Sequence, residues 1–258
     1  VAPFFELWAR VQDRDGTVKL GGAPIPAGRE SYFRGFEGTF TSPFRSNLFF
    51  GKLDYQINSS QQLEATFNYR NESDIRSFGG ETSYESAEDV KISVRSVSVK
   101  HRFTAADWLN EAMLTFQSFR WNPQALNWDK VGINYGGLLR VGGRSTSQDF
   151  LQERLSLRDD FTYIGLPGHS IKAGINLDFL SYDVQKFQDG NPTYWFESWY
   201  ENWSMPKEAT YGVGNPDLST KNRQFGWYLQ DDWTVTPRLV VNLGLRWDYE
   251  SELFNTGY

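Results

Sequence analysis

The chain is expected to be all-β: an antiparallel sheet of long strands that crosses a lipid bilayer as part of a β-barrel. Three observations carry this expectation. Apolar and polar residues alternate with a period of two over runs of about 9–14 residues, the length a tilted strand needs to span a bilayer. Aromatic residues make up 17% of the 258 residues, yet the mean hydropathy is -0.56. A chain with one lipid-facing face, one wet face and aromatic belts gives that mixture. Finally, connections of a few residues alternate with connections of about 20–40 residues, and such long ones are rare in compact soluble domains. No window reaches about 18 consecutive apolar residues, so a transmembrane helix is excluded.

Residues 1–45 show no sustained alternation and are rich in Gly, Pro and aromatics. They are expected to form a long loop, with the end of an earlier strand near residues 4–11. Asp13-Arg14-Asp15-Gly16 has the opening of a calcium loop but lacks the later carboxylates, so a simple turn is expected there. A unit of strand, short turn, strand and long loop then recurs. The first unit runs 48–57, turn 58–60, then 62–70, with Phe49, Leu53, Tyr55 and Ile57 on one face and Leu63, Ala65, Phe67 and Tyr69 continuing it. The second runs 93–103 and 108–121, the third 151–163 and 169–182. In the third, Leu155, Leu157, Phe161 and Tyr163 meet Ile171, Ala173, Ile175, Leu177 and Phe179. The fourth is 225–250, turned at Thr236-Pro237-Arg238, where proline fixes φ and removes a ladder donor. Its apolar register holds one polar residue, Asp231. Together these give about eight strands in residues 46–258, with loops at 71–92, 122–150 and 183–222.

The fourth unit also carries a family resemblance. Gln230-Asp231-Asp232-Trp233, then Val235-Thr236-Pro237-Arg238-Leu239, then Asn242-Leu243-Gly244-Leu245-Arg246-Trp247-Asp248 closely resembles a barrel hairpin of TonB-dependent outer-membrane receptors, above all the large Oar-like ones. The resemblance implies the outer membrane of a Gram-negative-type bacterium and import of a scarce or bulky ligand energised by the TonB system. It also implies a barrel of 22 strands with an N-terminal plug. No plug and no TonB-contact segment is recognisable in this chain. It is therefore expected to be a barrel segment that pairs with further strands and a plug of its own polypeptide. Two other readings stay open. One is a self-contained eight-strand barrel serving as adhesin, anchor or small outer-membrane enzyme. The other is a soluble carbohydrate-binding β-domain.

The polar rows of the strands are expected to line the lumen, with Arg158, Asp160, Asp178, Asp232, Arg246 and Asp248 among them. In the longest loop, Tyr194, Trp195, Trp199, Tyr200 and Trp203 cluster with Phe196. Aromatics in a loop must pack or bind, so these five are the candidate ligand contacts, the alternative being a lid packed on the barrel. No enzymatic function is expected, since there is no Gly-x-Ser-x-Gly elbow and no phosphate-binding Gly-Lys-Ser/Thr loop. With no Cys, and His101 and His169 lacking partners at metal-binding spacing, no cofactor or metal is expected. A net charge of -6 disfavours nucleic acid as a partner.

Overall fold

The computed structural model describes residues 2–197 and 205–252. Among the described residues thirteen strands follow one another as β1 (Ala2–Val18), β2 (Gly38–Asn58), β3 (Gln61–Arg76), β4 (Glu88–Thr104), β5 (Trp108–Ala125), β6 (Gly132–Tyr135), β7 (Leu139–Gly142), β8 (Ser147–Tyr163), β9 (His169–Phe187), β10 (Thr193–Phe196), β11 (Glu208–Thr210), β12 (Asp217–Thr236) and β13 (Leu239–Glu250). Nine of them form one antiparallel sheet in the order β1-β2-β3-β4-β5-β8-β9-β12-β13. The short strands make a second sheet, β11-β10-β6-β7.

The register of the large sheet separates two faces row by row. One row runs Ala65, Val99, Leu114, Leu157, Leu177, Phe225, Tyr249 across seven strands. One residue along, the row on the other face runs Thr66, Ser98, Thr115, Ser156, Asp178, Gln224, Glu250. Because side chains alternate across a strand, a slip of one residue anywhere would mix these rows, so the pattern itself fixes the register. Nothing among the described residues packs on the apolar face: Leu114 is 48% exposed, Leu229 51% and Leu245 64%. A continuous apolar surface of that extent exceeds what a soluble monomer tolerates. A bilayer is the solvent that fits it, which removes the soluble carbohydrate-binding reading.

The apolar band has a sharp upper limit. Tyr69, Val97, Phe116, Leu155, Phe179 and Phe225 are followed on the same face by Asn71, Arg95, Ser118, Glu153, Ser181 and Arg223. The ladders nevertheless continue past that limit, as Phe44 to Asp74 and Ser147 to Phe187 show. The strands are therefore longer than the alternation indicated, and the long connections shrink to 77–87, 126–146 and 188–216. Above the lipid, neither face needs to be apolar, so the period of two fades while the hydrogen-bond ladder persists.

Residues 1–45 correct the reading most. A loop with no more than the end of a strand near residues 4–11 was expected there, but Ala2–Val18 pair residue for residue with β2, and Asp13-Arg14-Asp15-Gly16 lie within that ladder and make no turn. The sheet thus has nine long strands, one more than expected. A short helix, α1 (Glu30–Arg34), sits in the connection to β2.

Turns 59–60, 105–107, 164–168 and 237–238 lie at one end of the sheet. The Thr236-Pro237-Arg238 turn forms where it was expected. The connections 19–37, 77–87, 126–146 and 188–216 lie at the other and pack on each other. They hold the hydrophobic core among the described residues: Val18, Phe33, Tyr135, Leu138, Leu139 and Val141, with Phe36, Phe78, Ile133 and Phe196 against it. Glu85 ties two of these connections together, its carboxylate accepting from the Gly142 amide at 2.6 Å and from Lys130 at 2.9 Å. Gly142 has a φ of +77, and a Cβ there would collide with the Val131 carbonyl, so only glycine serves.

The sheet does not close, since β1 and β13 do not pair. An odd number of antiparallel strands has edges running in the same direction. Joining β1 to β13 would therefore require a parallel seam, against the even, all-antiparallel construction of bacterial barrels.

Candidate functional site

The candidate site is the polar face of the large sheet together with the cap above it. All six residues expected in the lumen lie on this face, in separate groups. Arg158 donates from Nε to Asp160 Oδ2 at 2.6 Å, and the Tyr228 hydroxyl donates to Asp160 Oδ1 at 2.8 Å. Tyr228 reaches Asp160 by crossing Gly174, which pairs with both: a Cβ there would strike the Tyr228 ring. With Asn176 and Arg246 these residues surround a recess of about 250 Å³. Arg246 clamps Asp248 in bidentate fashion at 2.7 and 2.6 Å. Asp178 is 2% exposed and receives Arg154 Nε at 2.9 Å, Asn176 Nδ2 at 2.6 Å and the Ser156 hydroxyl. Nearer the turns, Lys172 meets Asp232 at 2.8 Å and Gln230 donates to the same carboxylate at 2.9 Å. Arg154–Asp178 and Lys172–Asp232 pair across adjacent strands, while Arg158–Asp160 and Arg246–Asp248 pair two residues apart on one strand.

Sequence reasoning missed the character of this face nearer the cap. Trp8, Leu48, Phe50 and Val94 lie on the polar side, where with Glu6, Asn68 and Arg70 they line a recess of about 520 Å³. Phe119 and Phe150 continue the strip, their ring centroids 6.1 Å apart. The signal was present in the sequence: Phe4 and Trp8 on one face of β1 and Phe5 and Leu7 on the other make both faces apolar, which erases the alternation.

The converse occurs on the apolar face. Asn110 donates to Asp159 at 2.6 Å, and His169 Nδ1 lies 2.6 Å from Asp231 Oδ2 with its ring stacked on Trp233. The polar residue that interrupts the apolar register thus has a partner on the neighbouring strand. Its other oxygen, Oδ1, is buried without one among the described residues.

In the cap, the candidate aromatics divide. Tyr194 and Trp195 lie in β10, Tyr194 half-buried and Trp195 39% exposed. Phe196 stacks on Tyr135 with centroids 5.3 Å apart. Trp199, Tyr200 and Trp203 lie outside the described residues. Burial, with a hydrogen bond donated to Tyr32, pushes the Tyr135 phenol well above its ordinary range. Burial also lowers the Arg140 guanidinium, assisted by the like charge of Arg144. No group of His, Cys, Asp and Glu suited to a metal ion occurs among the described residues.

The sheet has an exposed apolar band on one face, polar rows on the other and long connections gathered at one end, and sequence comparison decides the class. Residues 20–257 match the family model of the outer membrane beta barrel domain. The chain belongs to that family. The barrel domain is a protein of the Gram-negative outer membrane. It is similar to the TonB-dependent transporter Oar of Myxococcus xanthus, 28% identical over 127 residues, which is 43% of this chain and 12% of Oar. Its fold is similar to that of the outer membrane transporter YddB from Escherichia coli (TM-score 0.60, 11% identity, 96% of this chain and 32% of YddB). The same holds for Pseudomonas aeruginosa FpvA (TM-score 0.58, 14% identity, 96% of this chain and 36% of FpvA). The barrel domain thus spans well under half the length of the relatives it matches. Those relatives are transporters and receptors.

Proposed function

We propose that this chain is the wall segment of a TonB-dependent transporter, and that the complete polypeptide imports a scarce or bulky ligand. The open nine-strand sheet carries the reading. Its unpaired edges would expose backbone donors and acceptors to lipid at several kcal/mol per group, so further strands of the same polypeptide cover β1 and β13. The polar inner face then lines a lumen wide enough for a plug. The partial similarity to Oar supports the same class. The partners are outer-membrane lipid, the plug and remaining strands, the TonB system and the ligand.

In this reading the long connections face outward and the turns face the periplasm, the arrangement usual for such barrels. A tag in the Gly190 region is expected to be labelled on intact cells, and a tag at Thr236-Pro237 only after permeabilisation. Labelling in the reverse pattern inverts the topology.

Tyr194, Trp195, Trp199, Tyr200 and Trp203 are then the outer rim of the ligand site. Trp195 keeps a large exposed ring while its neighbour Phe196 is anchored in the cap, an arrangement that presents one aromatic and fixes its base. For full-length transporter and a ligand enriched from spent medium, Trp195→Ala is expected to weaken binding by roughly 1–3 kcal/mol, on the scale of one aromatic stack. The cap should remain resistant to protease. Unchanged affinity with faster cleavage would make these aromatics a structural lid.

A further inference from the structure

Just above the apolar band, on the same outward face, three cations surround one small residue. Ser93 on β4 lies between Arg95 and Lys91, each one step along that face, and pairs directly with Arg120 of β5. On its other side Ser93 pairs with Asn71, and Lys91 pairs with Asn122. Asn71, Lys91, Ser93, Arg95, Arg120 and Asn122 line a recess of about 300 Å³. Two carboxylates stand nearby: Lys91 Nζ is 3.4 Å from Asp89, and Arg120 Nε donates to Asp149 at 2.8 Å. Arg95 is exposed and has no ion-pair partner among the described residues. The recess thus offers one uncommitted guanidinium, two further cations and amide and hydroxyl donors around a single centre, a set suited to a phosphate group.

We infer that this recess is a seat for the phosphorylated headgroup of an outer-leaflet glycolipid. What lies beneath it selects a lipid over a free anion. Down the same face Tyr69 follows Asn71 and Val97 follows Arg95 directly, and on β5 Phe116 follows Arg120 after Ser118, so the apolar band begins at the foot of the recess. A molecule with acyl chains on that band places its phosphate at the height of Arg95. The assignment rests on the outward orientation of the long connections, which surface labelling tests separately. The titration below tests the seat itself.

The experiment is a native mass-spectrometric titration of the full-length transporter in detergent. The probes are an acylated glucosamine disaccharide bisphosphate, its dephosphorylated form and inorganic phosphate. The bisphosphate is expected to bind at least about tenfold more tightly than the dephosphorylated lipid. The double variant Lys91→Gln/Arg95→Gln should lose roughly 10–30-fold. Heat-modifiable migration verifies that this variant has folded. Equal binding of the two lipids, or full retention in a folded double variant, overturns the inference. Occupancy by inorganic phosphate equal to that by the bisphosphate overturns the assignment to a lipid.

Discussion

Arg154→Leu is expected to destabilise the folded barrel by about 3–5 kcal/mol, the cost of leaving a buried charge without its partner. The carboxylate of Asp178 is almost wholly enclosed, and Arg154 supplies its only cation among the described residues at 2.9 Å. Ser156 and Asn176 remain as donors after the substitution, but neither carries charge. Arg154 itself is 39% exposed, which places the effect toward the lower end of the range because water can follow into the gap. The double variant Arg154→Leu/Asp178→Leu removes both charges and is expected to recover most of the loss. Urea unfolding of the four proteins in lipid gives the coupling. Additive losses would show that the pair is solvated and contributes little.

The second large effect concerns lipid. Leu229→Arg is expected to cost about 2–4 kcal/mol, and Gln230→Arg almost nothing. Leu229 pairs with Ala173 and Leu245 midway along the apolar register of β12, between Trp233 and Phe225. Gln230, one residue on, faces Lys172 and Asp232 in the wet interior. Leu243→Arg against Asn242→Arg should repeat the contrast on β13 with a smaller difference, because Leu243 lies closer to the turn and the cost falls toward the interface. Folding yield in lipid vesicles measures both pairs, and equal damage at adjacent residues contradicts the assignment of faces.

What the sequence made legible follows from where the bilayer acts. Inside the lipid each strand must present one apolar and one polar face, so Leu239 to Tyr249 and their partners could be assigned from alternation alone. Above the lipid that demand ends, and the upper parts of β2, β4 and β8 were read as loop. β1 was hidden for a different reason, since it lines the apolar strip of the interior with Phe4 and Trp8 while Phe5 and Leu7 face the opposite way. Of the candidate site, the charges of the polar face could be listed from their register. Their grouping could not, because Tyr228 reaching Asp160 across Gly174 joins three strands whose neighbourhood no local pattern reveals. The split of the aromatic loop was likewise invisible: Phe196 meets Tyr135 only because two distant connections form one sheet.

On the proposed function, this sheet is part of a larger wall, with β1 and β13 each covered by another strand. The chain has no cysteine, so introduced pairs report cleanly. Leu7→Cys with Phe49→Cys joins directly paired residues of β1 and β2 and should oxidise to a disulfide in the outer membrane. Leu7→Cys with Leu243→Cys places the two thiols on the outward faces of the two edges. No disulfide is expected from this second pair in the full-length protein. A disulfide between β1 and β13 as efficient as the control would mean that the nine strands close on themselves, and would contradict the proposal.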